Sequence, residues 1–312
     1  MGTVLRAIET HDLTKRFGHL LAVDHLNLTV EEGAIFGLVG PDGAGKTTTI
    51  RLLATVITPT EGTARICGVD VRRSPEEVKS LVGYMPQEFS IYGDLTVEEN
   101  LRFFGELYQV PRRDLAARLA ELLHMTRLDP FTRRLAEHLS GGMQKKLALA
   151  CSLIHRPRLL LLDEPTTGVD PISRRELWRI LYELARSGVT ILVSTSYLDE
   201  AERCSAIGLL YQGRLLRSGT PDEIRAGLEG EVVELVAEPR GEARRLVEQR
   251  PEVRGVRQVG DRLRLLVREA SSAIPEVQAW LRSRGIEILE ANQVEPSLED
   301  LFATLIPQQL AR

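Results

Sequence analysis

The stretch from Ala34 to Ala54 constrains the fold more tightly than any other part of the chain. AIFGLV (Ala34–Val39) is a short continuous apolar run, as a strand buried on both faces of a parallel sheet would be. GPDGAGKT (Gly40–Thr47) follows at once, and Thr48–Ala54 reads as a helix. The spacing GxxxxGK(S/T) between a strand and a helix is that of a phosphate-binding loop. Small residues let backbone N–H groups close around phosphate oxygens, and the helix N-terminus adds the positive end of its dipole. Gly40, Pro41, Asp42, Gly43, Ala44, Gly45 and Thr48 are therefore candidate phosphate-loop residues. Lys46 is the candidate for the β- and γ-phosphates, and the Thr47 hydroxyl for Mg2+.

A second apolar run ends in acid. In LLLLDEP (Leu159–Pro165) the strand would deliver Asp163 beside the phosphates and their metal ion. Glu164 follows, placed to polarise an attacking water as general base. Taken alone, the run is equally a buried strand with two acids at a turn; the phosphate loop upstream favours the chemical reading. A third motif, LSGGMQ (Leu139–Gln144), precedes a helical pattern from Lys145 to about Ile154. Ser140 with two glycines at a helix start can be a simple N-cap. It also offers a second phosphate-binding helix end. One chain cannot easily bring both helix ends to one γ-phosphate, whereas a second subunit can.

Strand-like runs at Leu159–Leu162 and Val189–Val193 alternate with helical patterns. Leu115, Leu119, Leu122 and Leu123, for instance, fall on one helical face. This alternation predicts an α/β core with a parallel sheet. Residues 6–32 look antiparallel and predict a small added sheet. The 312 residues predict about two domains, with a core large enough to need neither disulfides nor a structural metal. Hydrophobic residues are 43% and charged residues 27%, which excludes collagen-like, disordered and disulfide-framework chains. The longest uncharged stretch, Ser187–Leu198, is too short for a membrane-spanning helix. The opening MGTVLRAIETHD lacks the apolar core of a secretory signal, so a cytoplasmic location is expected. A net charge of −4 argues against a nucleic-acid partner. Cys67, Cys151 and Cys204 stand singly, with no zinc or redox spacing.

Composition shifts at AGLEG (Ala226–Gly230), which places a domain boundary between 1–228 and 229–312. Beyond it, strands at Val232–Val236, Val253–Val259, Leu263–Val267 and Ile286–Ala291 interleave with helices at Ala243–Gln249 and Ile274–Arg284. Gly260 and Asp261 form the turn between the middle strands. The order β-α-β-β-α-β predicts a small α+β unit of ferredoxin-like type. A last helix opens at PSLEDLF, with Ser297 as its cap and Glu299 and Asp300 in its first turn. This tail has no Lys, His or Cys and no catalytic constellation.

The order GPDGAGKT, Gln87, LSGGMQ, LLLLDEP and Asp170 resembles the nucleotide-binding subunit of ATP-binding cassette (ABC) transporters, over residues 6 to about 225. Details are similar to bacterial drug-exporter systems whose ATPase and permease are separate chains, and the tail resembles their C-terminal domain. The resemblance implies a P-loop NTPase cassette: a parallel sheet core, an antiparallel N-terminal sheet and a helical signature subdomain. It implies ATP and Mg2+ as ligands, with Thr47, Gln87 and Asp163 on the metal side and Glu164 as catalytic base. Phe17 matches the aromatic that stacks on adenine; a core phenylalanine is the competing reading. Gln87 matches a glutamine that touches Mg2+ or water and senses the permease. Ser140 and Gly142 would bind the γ-phosphate held by the other subunit, and Asp170 would cross the dimer interface. A second ATPase subunit, identical or different, and a transmembrane permease are the implied partners. The implied location is peripheral, through the permease, at the cytoplasmic face of the cell membrane.

One position departs from the family pattern. Alignment on YLDEAE (Tyr197–Glu202) puts Ser196 where the family carries a switch histidine, and none of the six histidines lies beyond Asp163. A serine hydroxyl is shorter than imidazole and cannot become cationic. The expectation is an ATP-hydrolysing exporter motor, set against a weakly hydrolysing regulatory or assembly subunit in a heterodimer. A soluble cassette ATPase of translation or repair fits less well. Translation relatives usually fuse two cassettes, repair relatives carry a long coiled coil, and no sustained heptads occur here.

Overall fold

The computed structural model describes residues 5–88 and 90–310. Residues 1–4 of the opening stretch, and 311–312 at the end of the expected tail domain, lie outside the described residues. Contacts divide the chain into two units, Met1–Ser218 and Gly219–Arg312.

In the first unit a six-stranded sheet runs Val82–Met85, Leu159–Asp163, Thr190–Thr195, Ile35–Val39, Ala206–Tyr211, Arg214–Gly219. The first five strands are parallel. Leu159–Asp163 and Thr190–Thr195 are buried at every position, which explains their near-continuous apolar sequences. Because Thr190–Thr195 inserts between the other two, Ile35–Val39 and Leu159–Asp163 flank it directly. The phosphate loop, the two acids and Ser196 thus leave the carboxyl ends of three adjacent strands, where open α/β sheets bind ligands.

The expected antiparallel sheet is present. It runs Leu20–Leu26, Arg6–Phe17, Glu61–Ile66, Val69–Asp70, with Thr29–Glu31 also pairing with Arg6–Phe17. One apolar cluster joins the two sheets through the phosphate-loop helix Lys46–Leu53: Ile8, Leu13 and Val23 meet Ile50, Leu52 and Leu161. A helical layer of Val97–Leu107, Arg112–Thr126 and Gly141–Ser152 packs on itself. Thr96 and Glu99 form a reciprocal capping box at its start. Leu115, Leu119, Leu122 and Leu123 are all buried, as their spacing predicts, each contributing about 1.5–3 kcal/mol.

The second unit holds a four-stranded antiparallel sheet in the order Val253–Val259, Arg262–Val267, Glu231–Glu238, Glu287–Val294. Helices Arg240–Val247 and Ala270–Arg282 fill the β-α-β-β-α-β pattern, and Ala243, Val247, Val277 and Leu281 join the sheet's Val233, Leu235 and Leu265 in one core. The division between units falls at Ser218 and Gly219, ahead of the composition shift at Ala226–Gly230. The helix Pro221–Ala226, capped by Thr220 and Glu223, packs against the helix Leu298–Leu310 and so belongs to the tail unit. Ser297 caps that last helix: its hydroxyl accepts from the Asp300 N–H at 3.3 Å, and Asp300 Oδ2 accepts from the Ser297 N–H at 2.9 Å.

Candidate active site

The phosphate loop is held open by contacts that only small residues allow. A Cβ on Gly40 would lie 2.2 Å from the Leu210 carbonyl oxygen. Gly45, at φ +103°, would place one 2.4 Å from the Ala22 oxygen. The turn at Gln212 and Gly213 braces the loop from outside, with the Gly213 N–H donating to the Ala44 carbonyl. Around it lies a cleft of about 850 Å³ lined by Asp42–Thr48, Gln87, Glu164, Thr167, Ser196, Tyr197, Gln212 and Leu20–Ala22.

Lys46 is 4% exposed. Its Nζ donates to the Gly40 and Pro41 carbonyls at 2.7 and 3.1 Å and lies 3.1 Å from Glu164 Oε1. Glu164, at φ +47°, has its other oxygen engaged by the Gln87 amide at 3.1 Å and the Thr167 hydroxyl at 3.3 Å. Asp163 is fully buried. Its Oδ1 accepts from the Thr47 hydroxyl at 3.1 Å and the Ser194 hydroxyl at 2.7 Å, and its Oδ2 has no hydrogen-bond partner among the described residues. Burial pushes the Asp163 carboxyl up, against the hydrogen bonds from Ser194 and Thr47. A buried, unpartnered carboxylate oxygen next to a threonine hydroxyl suits a hard cation such as Mg2+. That ion takes most of its ligands from phosphate and water, so no cluster of protein acids is required.

The residues expected at one site thus come together in part. Lys46, Thr47, Glu164, Gln87 and Ser196 line the cleft with the rest of Asp42–Thr48; Gly40 and Pro41 do not line it, and Asp163 is fully buried beside it, bonded to Thr47. Phe17 does not line it: 48% exposed, it has Lys15 Nζ 5.0 Å from its ring centroid, and Leu20, Leu21 and Ala22 line the cleft instead. Its position in the strand puts it opposite Leu20 at the hairpin end. Ser140 and Gly142 also lie outside the cleft lining. Ser140 caps the helix Gly141–Ser152 through the Met143 N–H at 3.4 Å. A Cβ on Gly142 would lie 2.3 Å from Ser173 Oγ, so within this chain the glycine is required by the neighbouring helix. Asp170 caps that helix, accepting from the Ile172 and Ser173 N–H groups at 3.0 Å, and the Ser173 hydrogen bonds hold its carboxyl below the usual range.

Two residues at the site carry no sequence motif. Ser194 Oγ accepts from the Glu164 N–H at 3.0 Å while donating to Asp163, so one hydroxyl joins both acids. Lys145 donates to the Gln87 carbonyl at 2.7 Å, linking the LSGGMQ helix to the Gln87 loop. Burial lowers its pKa, against the attraction of Asp163 and Glu164. Ser194 and Thr195 together close the apolar run ILVST (Ile191–Thr195), so the sequence does not single out Ser194, and nothing in the spacing marks Lys145.

The ABC transporter family profile matches residues 23–167, and the profile described as "ATP-binding protein DrrA1-3-like, C-terminal domain" matches residues 219–306. The probable multidrug ABC transporter ATP-binding protein YbhF of Escherichia coli K12 is 45% identical over 219 residues. That alignment covers 70% of this chain and 38% of the relative, so the chain spans under half the length of YbhF. The daunorubicin resistance ATP-binding protein DrrA2 of Streptomyces coeruleorubidus is 36% identical over 304 residues, covering 96% of this chain and 94% of the relative. A solved ATP-binding subunit of an ABC transporter superposes with a TM-score of 0.65 at 32% identity, covering 70% of this chain and 92% of that one. A dimeric ATP-binding cassette in a post-hydrolysis state with ADP and Pi superposes with a TM-score of 0.62 at 26% identity, covering 68% and 98%.

Proposed function

Because the chain belongs to the ATP-binding cassettes of ABC transporters, an ATP-hydrolysing family, we propose that it is the motor subunit of an exporter whose permease is a separate chain. The observation that carries this reading is the convergence of Lys46, Thr47, Asp163 and Glu164 at the ends of adjacent strands. The backbone N–H groups of the phosphate loop and Lys46 bind the β- and γ-phosphates. Thr47 and Asp163 would hold Mg2+, which when bound would neutralise charge building on the phosphate oxygens. Glu164 accepts the proton of the attacking water, and Gln87 fixes the carboxylate's direction through the bond to Oε2. Ser194 keeps both acids in register.

Cassettes of this family dimerise and work with membrane permeases. In this chain we assign Ser140, Gly142 and Asp170 to the partner-facing side of a head-to-tail dimer around two ATP. We assign permease docking to the Gln87 loop and the following helix, where Tyr92, Phe103 and Leu107 are exposed and the Tyr92 and Phe103 rings meet edge-on at 4.7 Å. Among the described residues no helix is long and apolar enough to cross a membrane. We assign attachment to the permease, at its cytoplasmic face, on the family's pairing of cassette and permease. The drug-resistance names of the relatives support export. The weakly hydrolysing alternative rests on Ser196 alone. Lys46→Ala tests the motor reading. Removing the site's cation leaves phosphate charge uncompensated, and ATP binding by equilibrium dialysis should disappear. Retained low-micromolar affinity would overturn the assignment.

A further inference from the structure

Ser196 leaves the strand Thr190–Thr195 exposed in the cleft, and the turn that carries it is held by a chain of contacts running back to Arg174. The Thr195 hydroxyl accepts from the Tyr197 N–H at 3.0 Å and donates to Glu200 Oε2 at 2.9 Å. Glu200 is completely buried, and its Oε1 has no hydrogen-bond partner among the described residues. Arg174 Nε lies 3.6 Å away, itself buried and, among the described residues, without a hydrogen bond. The same guanidinium lies 4.7 Å from the Tyr197 ring centroid and 3.7 Å from Asp199 Oδ2.

A charge-assisted N–H···O bond closes at about 2.7–2.9 Å. The buried Glu200 and the Nε of the part-exposed Arg174 therefore face each other as two complementary groups, short of a bond by roughly 0.7–0.9 Å. Arg174 stands in the first turns of the helix Pro171–Arg186, which Asp170 caps. One side chain thus connects the Asp170 turn, on the side assigned above to the partner subunit, with the turn that presents Ser196 and Tyr197 to the cleft. An ordinary surface ion pair contributes little because water screens it. This pair differs because its carboxylate is shielded and half satisfied.

Resting on the ATPase reading above, we propose that Arg174 is a positioning residue for hydrolysis. It closes onto Glu200 as the Asp170 turn engages the partner subunit, and the closure sets where Ser196 and Tyr197 stand against the γ-phosphate. The cation–π contact with Tyr197 carries the same movement to the ring. Arg174 touches no substrate atom and acts only through this turn.

The test uses the full chain with Mg-ATP, measuring steady-state kcat and KM, affinity for a non-hydrolysable ATP analogue, and the melting temperature. Arg174→Ala should lower kcat about 10-fold, as sub-ångström misplacement of a reacting assembly does, with KM and analogue affinity changed less than about 2-fold. Arg174→Lys keeps the charge without the planar fork and should recover only part of the rate. In a Glu200→Gln background, Arg174→Ala should cost little more. Wild-type kcat in both Arg174 variants would overturn the proposal. So would a fall in kcat that tracks equal losses of nucleotide affinity and melting temperature, the pattern of a merely structural residue. Absence of ATPase activity in the wild-type chain would instead sink the motor reading itself.

Discussion

Lys46 Nζ and Glu164 Oε1 face each other at 3.1 Å on the floor of the cleft, both side chains more than nine-tenths buried. The lysine that should meet phosphate is thereby paired with the acid that should meet water. Incoming phosphate must take the lysine over, and that exchange frees the carboxylate for its own task. A buried pair of this kind holds its partners in place without adding much net stability.

Glu164→Gln keeps the side chain's shape and removes both the base and the competing charge. Hydrolysis should fall by about 10²–10⁴-fold, the usual worth of a positioned general base. ATP affinity should stay the same or rise, because Lys46 no longer has a carboxylate to leave. Closed dimers should accumulate with Mg-ATP in size exclusion. Hydrolysis at the wild-type rate would show that Glu164 is not the base.

Ser194→Ala removes one hydroxyl and two bonds, leaving the Glu164 N–H without its acceptor and Asp163 Oδ1 without its shortest donor. Leaving such buried groups unsatisfied costs about 1–3 kcal/mol of stability, measurable by urea unfolding. The Asp163 carboxyl, already raised by burial, should rise further once the Ser194 bond that opposes it is gone. ATPase activity should then need more Mg2+ at pH 6 than at pH 8, by a margin larger than in the wild type. An unchanged Mg2+ dependence would separate Ser194 from the metal side of the site.

What the chain reveals without coordinates follows from distance along it. The phosphate loop, the two acids and the cap at Ser297 are local patterns, and each lies where its spacing places it. The tail's strands are legible because Val233 and Leu235 flank Glu234, and Leu263 and Leu265 flank Arg264, an apolar–polar–apolar step on half-buried strands. Ser194, Lys145 and the Arg174–Glu200 pair are illegible because their partners are brought in by strand order and helix packing, which no periodicity encodes. The unit division at Ser218 and Gly219, ahead of the composition shift, is illegible for the same reason. Whether Pro221–Ala226 joins the cassette or the tail depends on its packing against Leu298–Leu310, far along the chain.

In the tail unit Asp300 accepts from Arg257 at 2.8 Å and lies 2.9 Å from Arg264. Burial opposes its ionisation, but the Ser297 and Arg257 hydrogen bonds win and hold its carboxyl below the ordinary value. A carboxyl depressed in the folded state stabilises above its unfolded pKa, and that contribution is lost as pH falls through the folded one. The tail should therefore lose stability on acidification below about pH 4. Asp300→Asn should cost about 1–3 kcal/mol at pH 7 by leaving both arginines short of a partner, and should flatten the acid limb. Circular dichroism melts of the full chain across pH 2–7 measure both effects. An acid limb as steep in Asp300→Asn as in the wild type would assign it to other groups.

Ser196 decides between two accounts of the switch position. In the first, the hydroxyl only fills space where a γ-phosphate sensor stands in the family. Ser196→His should then raise hydrolysis, because imidazole could reach the γ-phosphate and help hold Glu164 and the water in line. A positioned acid–base group is worth about 10²–10⁴-fold, but in a pocket shaped around serine the gain should be smaller, about 3–30-fold. Ser196→Ala should change little. In the second account, the exposed hydroxyl reaches the phosphate through a bridging water, which costs little compared with a direct bond. Alanine should then lower the rate, and histidine should not help because it displaces the water. ATPase rates of both variants, alone and with the cognate permease, separate the two. A fall in both makes Ser196 a working part of the site and ends the space-filling account.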